Sequence, residues 1–305
     1  MVWLVCFWLS GFSPSVPAAS MVSGSVAHLS PDTLEFTLSD HNHMILTGVL
    51  NGRDSLPLMF HTAISGVSVN TEFLDRQAVE GFDQADTLRS WGGEKLSRYA
   101  ENQELALGNQ TISDLTIYES GHSGQYTEGK FGPNVLFFQV LEIDPQAERL
   151  ILHDRMPGLD SSWTSVKIRK DRGLIFVPLT LEVEGLQIEH EFLLHSGYEG
   201  TMLLDDAFVG AHPGIAQLPS FKESELKDSF GNIIKTRKVH ISSVEVGGTS
   251  LTGFPLGFFE GALGRQRISV LGADVIQRFH WLIDLENDQV WIRANERVSL
   301  PFSEV

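Results

Sequence analysis

The chain contains itself twice. Ser90-Trp91-Gly92-Gly93 returns as Ser229-Phe230-Gly231-Asn232, 139 residues later, and Gly108 returns as Gly247 at the same offset. Gly132 and Gly272 are 140 apart, as are Leu141-Glu142-Ile143-Asp144 and Trp281-Leu282-Ile283-Asp284. Near-constant offsets over this many landmarks mark a duplicated domain, because a solenoid would repeat every 20–50 residues. Two copies of one lobe are expected to sit about a pseudo-twofold axis. A chain of 305 residues is long enough to build a core for each.

Each copy reads as short strands punctuated by turns. Met44-Ile45-Leu46-Thr47-Gly48-Val49-Leu50 runs into Asn51-Gly52, a strong hairpin pair, and Leu56 to Phe60 returns. Glu104 to Leu107 precedes a turn at Gly108, and Leu115 to Tyr118 follows. Asn134 to Leu141 is expected to form a short helix, and Glu142 to Asp144 with Arg149 to Leu152 a closing hairpin. In the second copy, Thr180 to Glu184 with Gly185 matches the opening hairpin. The class is all-β with minor helix. The expected divisions are an export segment at 1–20, a polar N-terminal arm at 21–41, lobes at 42–153 and 174–300, and a linker at 154–173 rich in charge, Gly, Pro and Ser.

The opening hairpin of each copy ends alike. Leu58-Met59-Phe60-His61-Thr62-Ala63 and Phe192-Leu193-Leu194-His195-Ser196-Gly197 are apolar strands stopping at a histidine, a small hydroxyl residue and Ala or Gly. His61 and His195, 134 apart, hold the same place in each copy.

This order of parts resembles the pepsin and retropepsin family of aspartic proteases, and the two-lobe chain is more similar to bacterial retropepsin-like proteins. In that family each lobe has a hairpin, an apolar strand into Asp-Thr/Ser-Gly, a flap hairpin, an apolar-apolar-Gly segment with a short helix, and a closing hairpin. Val270-Leu271-Gly272-Ala273-Asp274-Val275-Ile276 matches the glycine segment closely, and Lys130-Phe131-Gly132-Pro133-Asn134-Val135-Leu136 matches it more weakly. The resemblance, over residues 42 to 300, implies two pseudo-symmetric β-barrel lobes with a cleft between them. It implies that His61 and His195 stand where the catalytic aspartates would. Thr62 and Ser196 would cross-link the two loops, with Ala63 and Gly197 beside them. Gly132 and Gly272 would be structural. Trp91-Gly92 and Phe230-Gly231 would form flap tips over a bound peptide.

Aspartic proteolysis needs two carboxylates sharing one proton, one to activate water and the other to donate to the carbonyl. Two imidazoles carry no negative charge to hold that water. The expectation is therefore a catalytically inactive protease homologue whose cleft binds an extended peptide by β-pairing. The alternative is a hydrolase (a peptidase) using the histidines as general base and acid, or as ligands of a catalytic metal. Glu199 is the nearest candidate third ligand; otherwise no cofactor is expected.

A net charge of −17 argues against nucleic acid as a partner, since phosphate binding needs a basic face. Val2 to Leu9 is a short apolar run followed by small residues, which reads as a signal peptide for the periplasm or the extracellular space, with no membrane contact after cleavage. The sole cysteine, Cys6, lies inside it, so the remainder has no disulfide. A monomer is expected, because two lobes in one chain already make a cleft. His41-Asn42-His43 has the strand spacing that puts both rings on one face, which can bind metal but is expected to be a solvated edge; Asp144 and Asp284 are expected as turn or strand-end residues, and Asp274 as the cap of a short helix.

Overall fold

The computed structural model describes residues 31–77, 79–90, 93–227, 233–260 and 266–303, with short extended pieces at Val2–Trp3 and Phe7–Trp8. The rest of the expected export segment and both expected flap tips, Trp91-Gly92 and Phe230-Gly231, lie outside the described residues.

In the first lobe, Met44–Leu50 alternates buried and less buried positions, as a strand with one face on a core must. Asn51 and Gly52 take positive φ of 51° and 67°, the backbone hand that matches strand twist in a tight hairpin. Asp54–Phe60 returns antiparallel to it. The second lobe repeats this with Leu174–Val183, a turn at Glu184 (φ 50°) and Gly185 (φ 81°), and Leu186–His195. Both returning strands end fully buried, at Leu58-Met59-Phe60 and at Phe192 to His195.

The two lobe sheets have the same strand order. In the first it runs Gln84–Ser90, Gly93–Leu107, Gln110–Ser120, Val67–Asn70, Gly129–Phe131, Asp54–Phe60, Met44–Leu50, Thr37–Leu38. In the second it runs Ser220–Lys227, Ile233–Val246, Thr249–Phe259, Met202–Leu203, Val270–Gly272, Leu186–His195, Leu174–Val183, Arg169–Asp171. Each sheet also pairs its long second strand with the opening strand, Leu107 with Gly48 and Val244 with Leu181, and so curls into a barrel. The fold is all-β with two pseudo-symmetric lobes.

A third sheet joins them. Its six strands run Thr164–Lys167, Gln289–Ala294, Phe279–Asp284, Val140–Asp144, Arg149–His153, Asp32–Glu35. The central ladder pairs Leu141 with Ile283 and Ile143 with Trp281, one strand from each lobe. Leu141, Ile143, Trp281 and Ile283 are all fully buried. Strands therefore occur within 21–41 and within 154–173 as well as in the two lobes.

Two local expectations need correction. Asn134 to Leu141 is not a helix: a single 3-10 turn spans Pro133–Val135, and by Val140 the chain is extended because it pairs with Asp284. Asp274 does not cap the helix Ala273–Ile276, whose N-cap is Gly272. It is fully buried in an ion pair with Arg278 at 2.7 Å, and it accepts from the Ser303 N–H and hydroxyl. Asp144 and Asp284 do accept backbone N–H bonds in their turns, from Ala147 and from Glu286 and Asn287.

The paired glycines are steric requirements. A Cβ on Gly132 would overlap the Ile64 carbonyl, and one on Gly272 would overlap the Gly200 carbonyl. Both obstacles are backbone, so neither can rotate away. Gly272→Ala is expected to cost about 1–3 kcal/mol through overpacking, read as a lowered thermal midpoint. Gly158→Ala, where a Cβ meets nothing within 4 Å, is the control and is expected to change little.

Candidate functional site

The ends of the two returning strands meet between the lobes. The bridge is a four-bond cross-link. The Thr62 N–H donates to Ser196 Oγ at 3.0 Å, and the Ser196 N–H donates to Thr62 Oγ1 at 3.0 Å. Each hydroxyl then donates across the gap, Thr62 to the Leu194 carbonyl at 2.6 Å and Ser196 to the Phe60 carbonyl at 2.8 Å. Both side chains are fully buried. A short hydroxyl is needed at each position, because it must accept and donate within one turn of chain.

The cross-link brings the imidazoles together. The ring centroids of His61 and His195 are 4.8 Å apart with planes tilted by 57°. Their exposures are 2% and 0%. The Ala63 N–H donates to His61 Nδ1 at 3.2 Å, which places the proton of the neutral ring on Nε2. The His61 edge carrying Cδ2 and Nε2 lies against Gly197, where any Cβ would overlap it. This explains why the second loop keeps glycine.

Burial dominates the electrostatics. It pushes the His195 pKa down to about 3, with the Lys130 and His43 charges adding to the shift. His61 is also held well below the usual imidazole range, by burial first and then by His195, Lys130 and His43. Both rings are neutral at ordinary pH.

A small open pocket lies beside His61, with a cavity volume of about 20 Å³. His43, His61, His122, Ser123, Lys130 and Glu199 are among its lining residues. Sequence reasoning placed four of these, His43, His122, Ser123 and Lys130, in no site. His43 was expected on a solvated edge; instead it is 5% exposed, and burial lowers its pKa to about 4. The edge reading failed because residues 41–43 are not strand: Asn42 has φ of 62°, in a turn that folds His43 inward. His41 faces Glu199, its Nδ1 2.7 Å from the carboxylate. Lys130 is 1% exposed; it heads the weaker glycine segment, but nothing there marked it as a pocket residue, and no motif marked His122.

Glu199 is thus engaged with His41. Among the described residues, no group of three or more His, Cys, Asp or Glu is arranged to hold a metal ion. Another cluster has the residue types of a hydrolytic triad but not its order. Ser269 Oγ donates to Asp205 at 2.8 Å, and His190 Nε2 lies 3.0 Å from both. A serine bonded to the carboxylate is not being deprotonated by the histidine, and Asp205 also caps the helix Asp206–Ala211.

No protein-family model matches the chain, and no curated protein matches it in sequence. Among solved structures it is similar to the aspartic proteinase from Irpex lacteus, with a TM-score of 0.54 and 10% identity over 89% of this chain and 99% of that one. The chain has the aspartic-proteinase fold. At this identity the likeness speaks for the fold alone, and the chemistry must be argued from the residues.

Two predictions follow from the geometry. Thr62→Val leaves the Ser196 N–H without its acceptor and the Leu194 carbonyl without its donor, and is expected to cost about 2–4 kcal/mol in chemical denaturation. The buried imidazoles also fix a pH dependence. Their folded pKa values lie below the unfolded value of 6.5. Between about 4 and 6.5 the unfolded chain binds protons the folded chain refuses, so stability is full above that window and falls on acidification. Each ring contributes a slope of up to about 1.4 kcal/mol per pH unit. The urea midpoint should be lower at pH 5 than at pH 7, with a shallower loss in His43→Gln; equal midpoints would contradict neutral burial.

Proposed function

We propose that this chain is a protease-fold binding protein whose interlobe cleft takes an extended peptide segment without aspartic proteolysis. The observation that carries the reading is the pair at the centre: His61 and His195 occupy the cross-linked loops, buried and neutral, where the fold would need two carboxylates. Neutral imidazoles can share a hydrogen bond, but they cannot present the anion that orients an attacking water.

The histidine-hydrolase alternative is weaker on two counts. A general base works best with a pKa near the operating pH, and these rings are depressed far below neutrality. A catalytic zinc takes three protein ligands and one open position, whereas Glu199, the candidate third ligand, is already bonded to His41.

What remains is the architecture for holding a strand. Each lobe has an antiparallel hairpin pairing Gln84–Ser90 with Gly93–Leu107 and Ser220–Lys227 with Ile233–Val246. Both belong to the flap segments expected from the repeat. Extended ligands bind such scaffolds through main-chain hydrogen bonds, with side-chain pockets supplying specificity.

The purified protein is expected to leave a diverse peptide library uncut from pH 3 to 8 while retaining members of it in equilibrium binding. Cleavage that disappears in His61→Ala would overturn the proposal. So would a failure to retain any peptide.

A further inference from the structure

The pocket beside His61 is lined for a guest of negative charge. Lys130 contributes a buried cation whose field opposes protonation of His61, His122 and His195. His43 contributes two ring nitrogens, both buried and neither with a hydrogen-bond partner. The Gly197 backbone lies near enough to favour the protonated ring, yet neither His43 nitrogen makes a hydrogen bond of normal geometry. A buried imidazole with both nitrogens idle costs free energy and calls for an explanation, because such groups are normally satisfied by protein, water or ligand. His61 adds the Nε2–H left by its bond from the Ala63 N–H.

We infer that this pocket binds a carboxylate group, held by the Lys130 ammonium and by His43, as the part of a bound acidic peptide that enters the cleft floor. Where the ligand comes from rests on the peptide-cleft reading above; the carboxylate chemistry rests on the pocket. A carboxylate offers up to four acceptor sites and no donor, which complements an ammonium with imidazole N–H groups around it. Charge-assisted bonds of this kind are about twice as strong as neutral ones.

The charged and titratable groups around His43 are His41, His61, His122, His195, Lys130, Asp40 and Glu199. Glu199 is the one carboxylate among the lining residues, and His41 lies against it at 2.7 Å. The chain's net charge of −17 opposes long-range attraction of an anion. Recognition must therefore act at contact distance, inside the pocket, where screening is weak. A metal ion would be the opposite guest, and Lys130 argues against it by placing a cation beside the imidazoles.

The test uses the full chain with two probes. The first is a pair of peptide sets identical except for Glu or Gln at one position. The second is glutarate, a small dicarboxylate, followed through the ring signals of His43 by NMR. The expected result is at least tenfold tighter binding of the best Glu peptides over their Gln counterparts, lost in Lys130→Met and reduced in His43→Gln. Glutarate is expected to shift the His43 signals saturably in the wild type. Glutarate binding with no peptide retained would support the pocket and overturn the peptide reading. Peptides retained with no preference for Glu, and no glutarate shift, would overturn the pocket and leave the peptide reading standing. Stoichiometric zinc binding that His43→Gln abolishes would also overturn it. Folding of each variant is checked by its near-ultraviolet circular dichroism, and His43→Gln carries the test if Lys130→Met does not fold.

Discussion

The reciprocal bonding of Thr62 and Ser196 is the constraint on which the centre of the molecule depends. Four hydrogen bonds close a ring between loops separated by 134 positions in sequence, in full burial. No water is needed to satisfy the two hydroxyls, because each accepts from the opposite backbone and donates to the opposite strand. The bridge holds its neighbours as well. With the hydroxyl positions fixed, His61 and His195 have little choice but to lie face to tilted face at 4.8 Å. The imidazoles are close because of what stands next to them.

The electrostatic character of the cleft floor follows from burial more than from pairing. In a site built for acid catalysis, two carboxylates split one proton through mutual repulsion. Here burial, with Lys130 adding to it, holds the imidazoles of His61 and His195 neutral. Lys130, His43 and His122 shape this floor together with the two loop histidines. Two neutral histidines carry no charge where two carboxylates would, and the pocket beside them adds Lys130, Glu199 and further imidazoles.

Much of this was legible in the sequence, for reasons that can be named. The repeat offsets tracked real equivalences: Gly108 and Gly247 both turn at positive φ, 56° and 55°, and Gly132 and Gly272 both press against backbone carbonyls. Turn glycines and strand-ending loops leave marks in the chain because backbone geometry restricts which residues fit. The bridge of Thr62 and Ser196 was expected from the resemblance to aspartic proteases, and the structure forms it. His43 and Lys130 were not legible, because their burial depends on how a turn and a strand from distant parts of the lobe converge. The expected helix at 134–141 failed for a similar reason. Its local pattern was overridden by a partner strand 140 residues away, which required Val140 and Leu141 to be extended.

The shared sheet has a consequence for how the cleft can change width. Leu141 and Ile143 of one lobe are laddered directly to Ile283 and Trp281 of the other, in full burial. A hinge between the lobes would have to shear that ladder, breaking buried bonds with no solvent to replace them. The lobes consequently behave as jaws welded at the root. Any change in the width of the cleft would have to be taken up outside this ladder.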